Sequence, residues 1–328
     1  MTTKERLLSL LESQQGSFFS GEELAHKLQV SRAAVWKAVN ALRQEGFAID
    51  AVTNRGYCLS RDADILSVPG IRRHLAPENQ GNPITLLSTV PSTNASLREQ
   101  AEQGAPAGSV VLALTQTRGR GRYGRSFFSP ADTGLYLSVL LRPTHTSPRQ
   151  TATLTAAAAV AMCQAIEAVC GETPQIKWVN DIYLHGKKVC GILTEAAFGL
   201  ETGVPEYVVV GAGLNVYAPE GGFPPELLDI AGGLLPHRAA DIKNRLAAEF
   251  VNRFLALAGA STEDFLADYR RRSLVLGKRI TVVSGGREQE ALALGIDDSC
   301  RLVVRFDDGE SQSLSWGEIR ICPEKFQK

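Results

Sequence analysis

Apolar positions along this chain change rhythm twice, and each rhythm predicts different elements. Residues 4–60 are mostly helical in spacing. Leu7, Leu8, Leu10 and Leu11 mark a first helix. Ser20 followed by Glu23 is a capping-box pattern that opens a second helix through Leu24 and Leu28. Ser31 is placed to cap a third, from Arg32 to Gln44, with Gly46 as its stop. Two short β runs follow, Phe47–Ala51 and Tyr57–Ser60, around a turn at residues 53–56. Residues 61–83 scatter Pro69, Pro77, Pro83, Gly70 and Gly81 around one short helical piece and read as a linker.

From Ile84 strands and helices intermingle. Strands are expected at Ile84–Ser88, Val110–Leu114, Leu135–Leu141 and Tyr207–Gly211, with a hairpin of Ile176–Leu184 and Val189–Glu195. The alanine-rich Thr151–Val169 predicts a long helix suited to close packing on a sheet; Leu246–Leu257 and Thr262–Arg271 predict two more. Hairpins mixed with helices indicate an α+β layer rather than a doubly wound parallel sheet. Beyond Gly277 only short β runs remain, Arg279–Val283, Glu290–Ile296, Arg301–Phe306 and Gln312–Trp316, with turns at 284–286 and 307–309, the pattern of a small β-barrel. The expected fold class is therefore α+β in three domains, residues 1–64, 65–273 and 274–328.

The N-terminal order of helix, helix, turn, helix and hairpin is that of a winged helix-turn-helix. On its third helix Val35, Val39 and Leu42 share one face, while Ala33, Lys37, Asn40 and Gln44 take the other. Small, amide and basic residues on an exposed helix can read base edges, and Arg32 and Arg55, the latter at the wing tip, can hold phosphates. Trp36 joins the candidate DNA-contacting residues, although a tryptophan beside an apolar stripe more often packs into a core. Charge adds little: the whole chain is neutral, and residues 1–62 hold eight Lys/Arg against seven Asp/Glu. So weak a field predicts a dimer on two half-sites, and a solvated polar face serving protein contacts is the competing reading.

Composition excludes other classes. Six scattered cysteines form no CxxC and do not pair with histidine at zinc spacing, so buried free thiols and no metal-ligating residues are expected. The N-terminus does not read as a signal peptide, and the run Ala156–Met162 falls short of the ~20 apolar residues of a membrane helix. The expected location is cytoplasmic, with no membrane partner.

The segment from Gln116 to Arg125 contains G-x-G-x-x-G, but Ser126-Phe127-Phe128-Ser129-Pro130 follows, which cannot open the helix a dinucleotide fingerprint requires. Its glycines and arginines suit a mobile loop closing on a phosphate, with a solvated basic loop as the alternative. In the lysine hairpin, adjacent strand residues face opposite sides, so Lys187 and Lys188 cannot both enter one site. Asp181, beside Asn180 in an apolar segment, needs partners if buried. Gly211-Ala212-Gly213-Leu214-Asn215 after a strand is a further approach point for a ligand.

Taken together, Ser92-Thr93-Asn94, Gly119-Arg120-Gly121-Arg122-x-Gly124-Arg125, Lys177-Trp178-x-Asn180-Asp181, Lys187-Lys188-x-x-Gly191-Ile192-Leu193-x-Glu195 and Gly211-x-Gly213-x-Asn215 resemble the bacterial biotin protein ligases that carry an N-terminal winged helix. The resemblance covers essentially the whole chain. It implies a central mixed-sheet domain of the class II synthetase-like type and a C-terminal SH3-like barrel. The implied activity forms biotinyl-AMP from biotin and ATP with Mg2+, then transfers biotin to a lysine of the biotin carboxyl carrier protein of acetyl-CoA carboxylase.

The resemblance also assigns residues. Ser92, Thr93, Asn94, Gln116 and Gly119 fall around the biotin ureido ring. Arg120, Arg122 and Arg125 lie in the ligand-ordered loop, and Lys188 bridges biotin carboxylate and α-phosphate. Phe127 stands where many members place a tryptophan over adenine, Asn180 and Asn215 lie on the nucleotide or metal side, and Asp181 accepts a proton from the incoming amine. Arg122 and Asp181 join Lys188 as the catalytic set. Val179 replaces the usual proline and Tyr123 a frequent arginine, departures that bear on loop stiffness and affinity. A repressor role on operator DNA is implied, with biotinyl-AMP favouring a homodimer, and the strand Leu135–Leu141 is the expected pairing edge. The competing readings are a ligand sensor with vestigial chemistry and a lipoate or octanoyl ligase of the same fold.

Overall fold

The computed structural model describes residues 2–44, 47, 49–60, 64–142, 150–199, 205–284, 287–315 and 317–321. The helix stop at Gly46, the turn residues 285–286, Trp316 and Cys322 lie outside them.

In the N-terminal unit, α1 (Thr3–Ser13), α2 (Gly21–Leu28) and α3 (Arg32–Gln44) precede β1 (Ile49–Val52) and β2 (Gly56–Leu59). Ser20 accepts the Glu23 N–H at 3.0 Å and Ser31 that of Ala34 at 3.2 Å, each satisfying an orphan amide at a helix start. The full reciprocal capping box is instead at α1, between Thr2 and Glu5. Leu7, Leu11, Leu24, Val35, Val39 and Leu42 fill the core beneath. The wing is tied to Phe19 by paired backbone hydrogen bonds with Tyr57. Gly56 is required there: its φ is +95°, and a Cβ would meet the Phe19 carbonyl at 2.0 Å.

Within the stretch expected to be a linker, residues 64–83 are folded structure. Pro69 sits in the first turn of α4 (Val68–His74), where its missing N–H costs nothing, and Ser67 caps the helix through the Gly70 N–H. Leu66, Ile71 and Leu75 are buried in the main core. This is the short helical piece expected there, but it is part of the core and not of a linker.

Seven strands form the central sheet: β3 (Ile84–Val90), β4 (Val110–Gln116), β5 (Gly134–Leu141), β6 (Gln175–Lys177), β7 (Asp181–Leu184), β8 (Lys187–Phe198) and β9 (Pro205–Asn215). Their spatial order is β3-β4-β5-β9-β8-β7-β6, antiparallel except for β3–β4. Two expectations change. The first hairpin strand is two strands, β6 and β7, folded back at residues 178–180, with a cis peptide at Trp178–Val179. Trp178 is thereby buried under the C-terminal sheet, donating its indole N–H to the Cys300 carbonyl at 3.0 Å. Moreover, β5 is not an edge: it pairs with β4 on one side and β9 on the other, and both of its faces are covered. Its apolar residues serve the core rather than a partner.

One sheet face carries α5 (Thr93–Glu102), packed through Leu97 and Ala101. The other carries α6 (Gln150–Cys170), which packs on α7 (Ile242–Ala258) and α8 (Glu263–Arg272). Against expectation, Thr153–Cys170 of α6 is long and apolar enough to cross a membrane, but Ala156–Cys163 are fully enclosed in the core. Arg272 of α8 holds Glu167 of α6 through two hydrogen bonds of 2.7 Å. The C-terminal region is an antiparallel sheet of β10 (Arg279–Ser284), β11 (Arg287–Ile296), β12 (Leu302–Phe306), β13 (Ser311–Leu314) and β14 (Glu318–Ile321), the last lying beyond the four runs that the sequence locates. Its inner residues share one core with the central sheet.

At the junction of α1 and α4, the Glu12 side chain is 5% exposed. It accepts a hydrogen bond from Ser67 Oγ at 2.6 Å, with Arg73 3.5 Å from its other oxygen. Burial pushes this carboxyl up to about 7; Ser67 and Arg73 oppose the rise, and Asp241 adds to it. The folded state thus holds the proton more tightly than the unfolded chain, whose value is near 4.5. Stability from this group is present below that value and falls as pH rises towards 7, by roughly 3 kcal/mol. Glu12→Gln is therefore expected to leave stability near pH 5 little changed and to raise it at pH 8. Urea unfolding across that range checks this; a variant effect independent of pH contradicts it.

A candidate ligand site over the glycine strands

The site begins with missing side chains. Gly213 of β9 lies between Tyr136 of β5 and Gly191 of β8, and Gly211 lies between Ser138 and Leu193. A Cβ on Gly213 would come 2.6 Å from the Phe127 ring, and one on Gly211 would come 2.1 Å from Asn94 Oδ1. The bare strands therefore admit Phe127 and Asn94 against the sheet. Gly119 works likewise inside the arginine loop, where a Cβ would strike the Phe127 carbonyl at 2.3 Å.

Two adjoining cavities result. The smaller, about 30 Å³, is lined by Ser92, Thr93, Asn94 and Gln116, which the motifs group together, and by Arg120 of the arginine loop. Thr93 donates its N–H to Gln116 Oε1 at 2.9 Å, and Gln116 Nε2 donates to Ser129 Oγ at 2.8 Å. Asn94 Nδ2 donates to Glu195 Oε2 at 2.8 Å, and Arg120 lies 3.2 Å from the other oxygen of that carboxylate. Gly119 lies behind this lining, its carbonyl accepting the Phe127 N–H at 2.9 Å.

The larger cavity, about 260 Å³, brings together Arg122, Arg125, Phe127, Asn180, Asp181, Lys188 and Asn215. Phe127 and Gly191 border both cavities. Lys188 Nζ lies 2.6 Å from Asp181 Oδ1, the partner that a half-buried carboxylate requires. Lys187 turns away to the Leu228 carbonyl at 3.0 Å, as strand alternation dictates. Arg122 donates to Asn180 Oδ1 at 3.1 Å, while Asn180 Nδ2 donates to the Ile192 carbonyl at 2.9 Å.

Several lining residues were not picked out by sequence. Lys177 adds a second ammonium, held below its usual range by burial although Asp181 draws it up. Phe223, Leu227 and Ile230 form an apolar wall. The arginine loop also reaches the C-terminal sheet: Tyr123 Oη accepts the Gly317 N–H at 3.1 Å, and Arg125 pairs with Glu318. Tyr123 thus makes a definite contact of its own. Glu195 closes a motif that was recognised but given no role, and Ser138 is the polar break in an apolar strand. Those two signals were visible.

On α3, Arg32, Ala33 and Lys37 are exposed and Asn40 is half-buried, opposite buried Val35, Val39 and Leu42. Trp36 is 58% exposed, so it does not pack under the wing. Arg55 lies at the wing tip with its guanidinium 4.0 Å from the centre of the Phe18 ring. Among the described residues no three His, Cys, Asp or Glu side chains form a metal-ligating group, and Cys58, Cys163, Cys190 and Cys300 are buried free thiols.

Residues 86–215 match the biotin/lipoate A/B protein ligase family, residues 3–58 an HTH domain and residues 275–321 a biotin protein ligase C-terminal domain. The bifunctional ligase/repressor BirA of Bacillus subtilis is 39% identical over 71% of each chain. Its namesake in Salmonella typhimurium is 30% identical over 96% of each. The solved biotin protein ligase of Aquifex aeolicus, in complex with biotin and ATP, has the same fold at a TM-score of 0.61 and 23% identity, covering 73% of this chain and 98% of that one.

Because Phe127 fills the space over Gly213, Gly213→Ala is expected to displace the ring and loosen the arginine loop. Tryptic cleavage at Arg118–Arg125 should then quicken several-fold with circular dichroism unchanged. Equal cleavage rates would mean that Phe127 does not hold the loop.

Proposed function

Since this chain belongs to the biotin protein ligases that carry an N-terminal helix-turn-helix, we propose that it is a bifunctional ligase and repressor. The observation that supports this best is the pair of adjoining cavities, one small and rich in hydrogen-bonding groups, the other large and cationic. Biotin's ureido ring occupies the small pocket among Ser92, Thr93, Asn94 and Gln116, with Arg120 in its lining and Gly119 behind it. ATP occupies the larger one, its base against Phe127 and its phosphates near Arg122, Arg125, Asn180 and Asn215. Lys188 stands beside Gly191, where the two cavities meet.

In the first half-reaction a biotin carboxylate oxygen attacks the α-phosphorus and pyrophosphate leaves. Lys188 and Arg122 neutralise charge shared between carboxylate and phosphate, and the loop excludes water from the mixed anhydride. In the second, the lysine amine of a biotin carboxyl carrier protein attacks the acyl carbon and AMP departs; Asp181, released from Lys188, takes the amine proton. Mg2+ carried in on the nucleotide would be held on the side of Asn180 and Asn215, whose side chains line the cavity, and would offset phosphate charge.

For repression, Lys37, Asn40, Ala33 and Trp36 face the operator's major groove, and Arg32 and Arg55 hold phosphates. Biotinyl-AMP favours a homodimer that places two such helices on two half-sites. Because β5 is interior, the dimer pairs through another surface.

Incubation with labelled biotin, Mg-ATP and a carrier domain is expected to label one carrier lysine. Lys188→Ala should slow adenylate formation by about 100-fold or more. No transfer by the unsubstituted protein refutes the ligase reading, and an unchanged rate in the variant removes Lys188 from the catalytic set. In sedimentation and operator-shift experiments, biotin with ATP should move the protein towards dimer and tighten DNA binding, and Lys37→Ala should abolish the shift. Retention of monomer, or no operator binding, contradicts the repressor half.

A further inference from the structure

Two chains of hydrogen bonds converge on Thr93, and their directions are fixed from the far ends. At one end stands the Glu195 carboxylate, which only accepts. Asn94 therefore turns its amide nitrogen towards Glu195 Oε2 at 2.8 Å and the Leu193 carbonyl at 3.2 Å. That leaves Asn94 Oδ1 facing Ser138 Oγ at 2.6 Å. An amide oxygen cannot donate, so the single Ser138 hydrogen goes to it. Ser138 Oγ, fully buried, is then an acceptor for Thr93 Oγ1, 2.8 Å away.

At the other end stands the Phe127 carbonyl, which takes the Ser129 hydroxyl hydrogen at 3.0 Å. Ser129 in turn accepts from Gln116 Nε2 at 2.8 Å, so Gln116 presents Oε1 to the Thr93 N–H at 2.9 Å. The Thr93 hydroxyl lies 3.3 Å from that oxygen, but its hydrogen is already committed to Ser138. The hydroxyl hydrogens of Ser129, Ser138 and Thr93 are thus all committed, and what Thr93 Oγ1 offers the small pocket is a lone pair.

We infer that Ser138 and Glu195 are positioning residues for substrate selection: through Asn94 they hold Thr93 as an acceptor, so the small pocket takes only a head group carrying an N–H donor. A cyclic urea meets that demand. A dithiolane, which has no polar hydrogen, would leave the half-enclosed lone pair unmatched, the situation in which binding sites discriminate most strongly. Gly211 belongs to the same device, since its missing Cβ is what lets Asn94 reach Ser138. The inference rests on the reading of this pocket as the biotin site.

The test uses the full chain and four ligands: biotin, desthiobiotin, a biotin methylated at the ureido nitrogens, and lipoate. The unsubstituted protein is expected to bind biotin and desthiobiotin and to reject the methylated compound and lipoate by 100-fold or more. Ser138→Ala frees the Thr93 hydroxyl to turn. It should raise KM for biotin about tenfold or more at nearly constant kcat, leave KM for ATP unchanged, and narrow the preference over lipoate. On a Thr93→Val background, the same Ser138→Ala change should have no further effect on selectivity. Equal binding of methylated and unmodified biotin, or an undiminished effect of Ser138→Ala without Thr93, overturns the inference. The ligand comparison needs no variant, so misfolding cannot obscure it. Failure to bind either biotin or desthiobiotin would instead overturn the substrate reading beneath it.

Discussion

Three glycines on two neighbouring strands leave a gap in a sheet otherwise filled with side chains, and both cavities are built in that gap. Gly191 and Gly213 give Phe127 a flat seat, and Gly211 gives Asn94 its approach. Because Phe127 ends the arginine loop, the seat also decides where Arg120, Arg122 and Arg125 stand. Packing at this density has no slack: a single methyl group at 211 or 213 would enter space already occupied. The chemistry of the site thus depends on a steric allowance before it depends on any charge.

The arginine loop is also where the parts of the chain meet. Arg120 is held by Glu195 of β8, Arg122 by Asn180 of the turn between β6 and β7, Tyr123 by the backbone of Gly317, and Arg125 by Glu318 of β14. These anchors come from two sheets, and most are exposed or half-buried pairs of modest individual strength. A loop held by several weak contacts can exchange them for a charged ligand without disturbing the core. The core contact between those sheets, Trp178 on the Cys300 carbonyl, is buried and separate from the loop. Rigidity and mobility are therefore assigned to different residues on one interface.

Much of this was legible in the residues. Helical spacing locates α1 to α3 and α6 to α8, and residues of the grouped motifs line part of both cavities. The misreadings share a cause. The alternating apolar residues of strand 135–141 suggest a pairing edge, yet whether a strand lies inside a sheet depends on segments far along the chain. The proline-bearing stretch around Pro69 reads as a linker with one short helical piece, but the buried Leu66 and Ile71 make that helix part of the core. Trp36 stands beside the apolar stripe of its helix, a position that favours a core, while the face it occupies is settled by how α1 and α2 pack.

Residue types, local periods and motif spacing settled the kind of elements and the chemistry they carry, because capping, alternation and amphipathic stripes act over a few neighbours. Strand order, the coincidence of Gly191, Gly211 and Gly213 beneath Phe127, and the direction of each hydrogen bond around Thr93 belong to the tertiary structure. Those features join groups separated by dozens of residues, such as Asn94 and Glu195. Their energies arise only when burial has removed water from both partners, and no local pattern records which partner that will be.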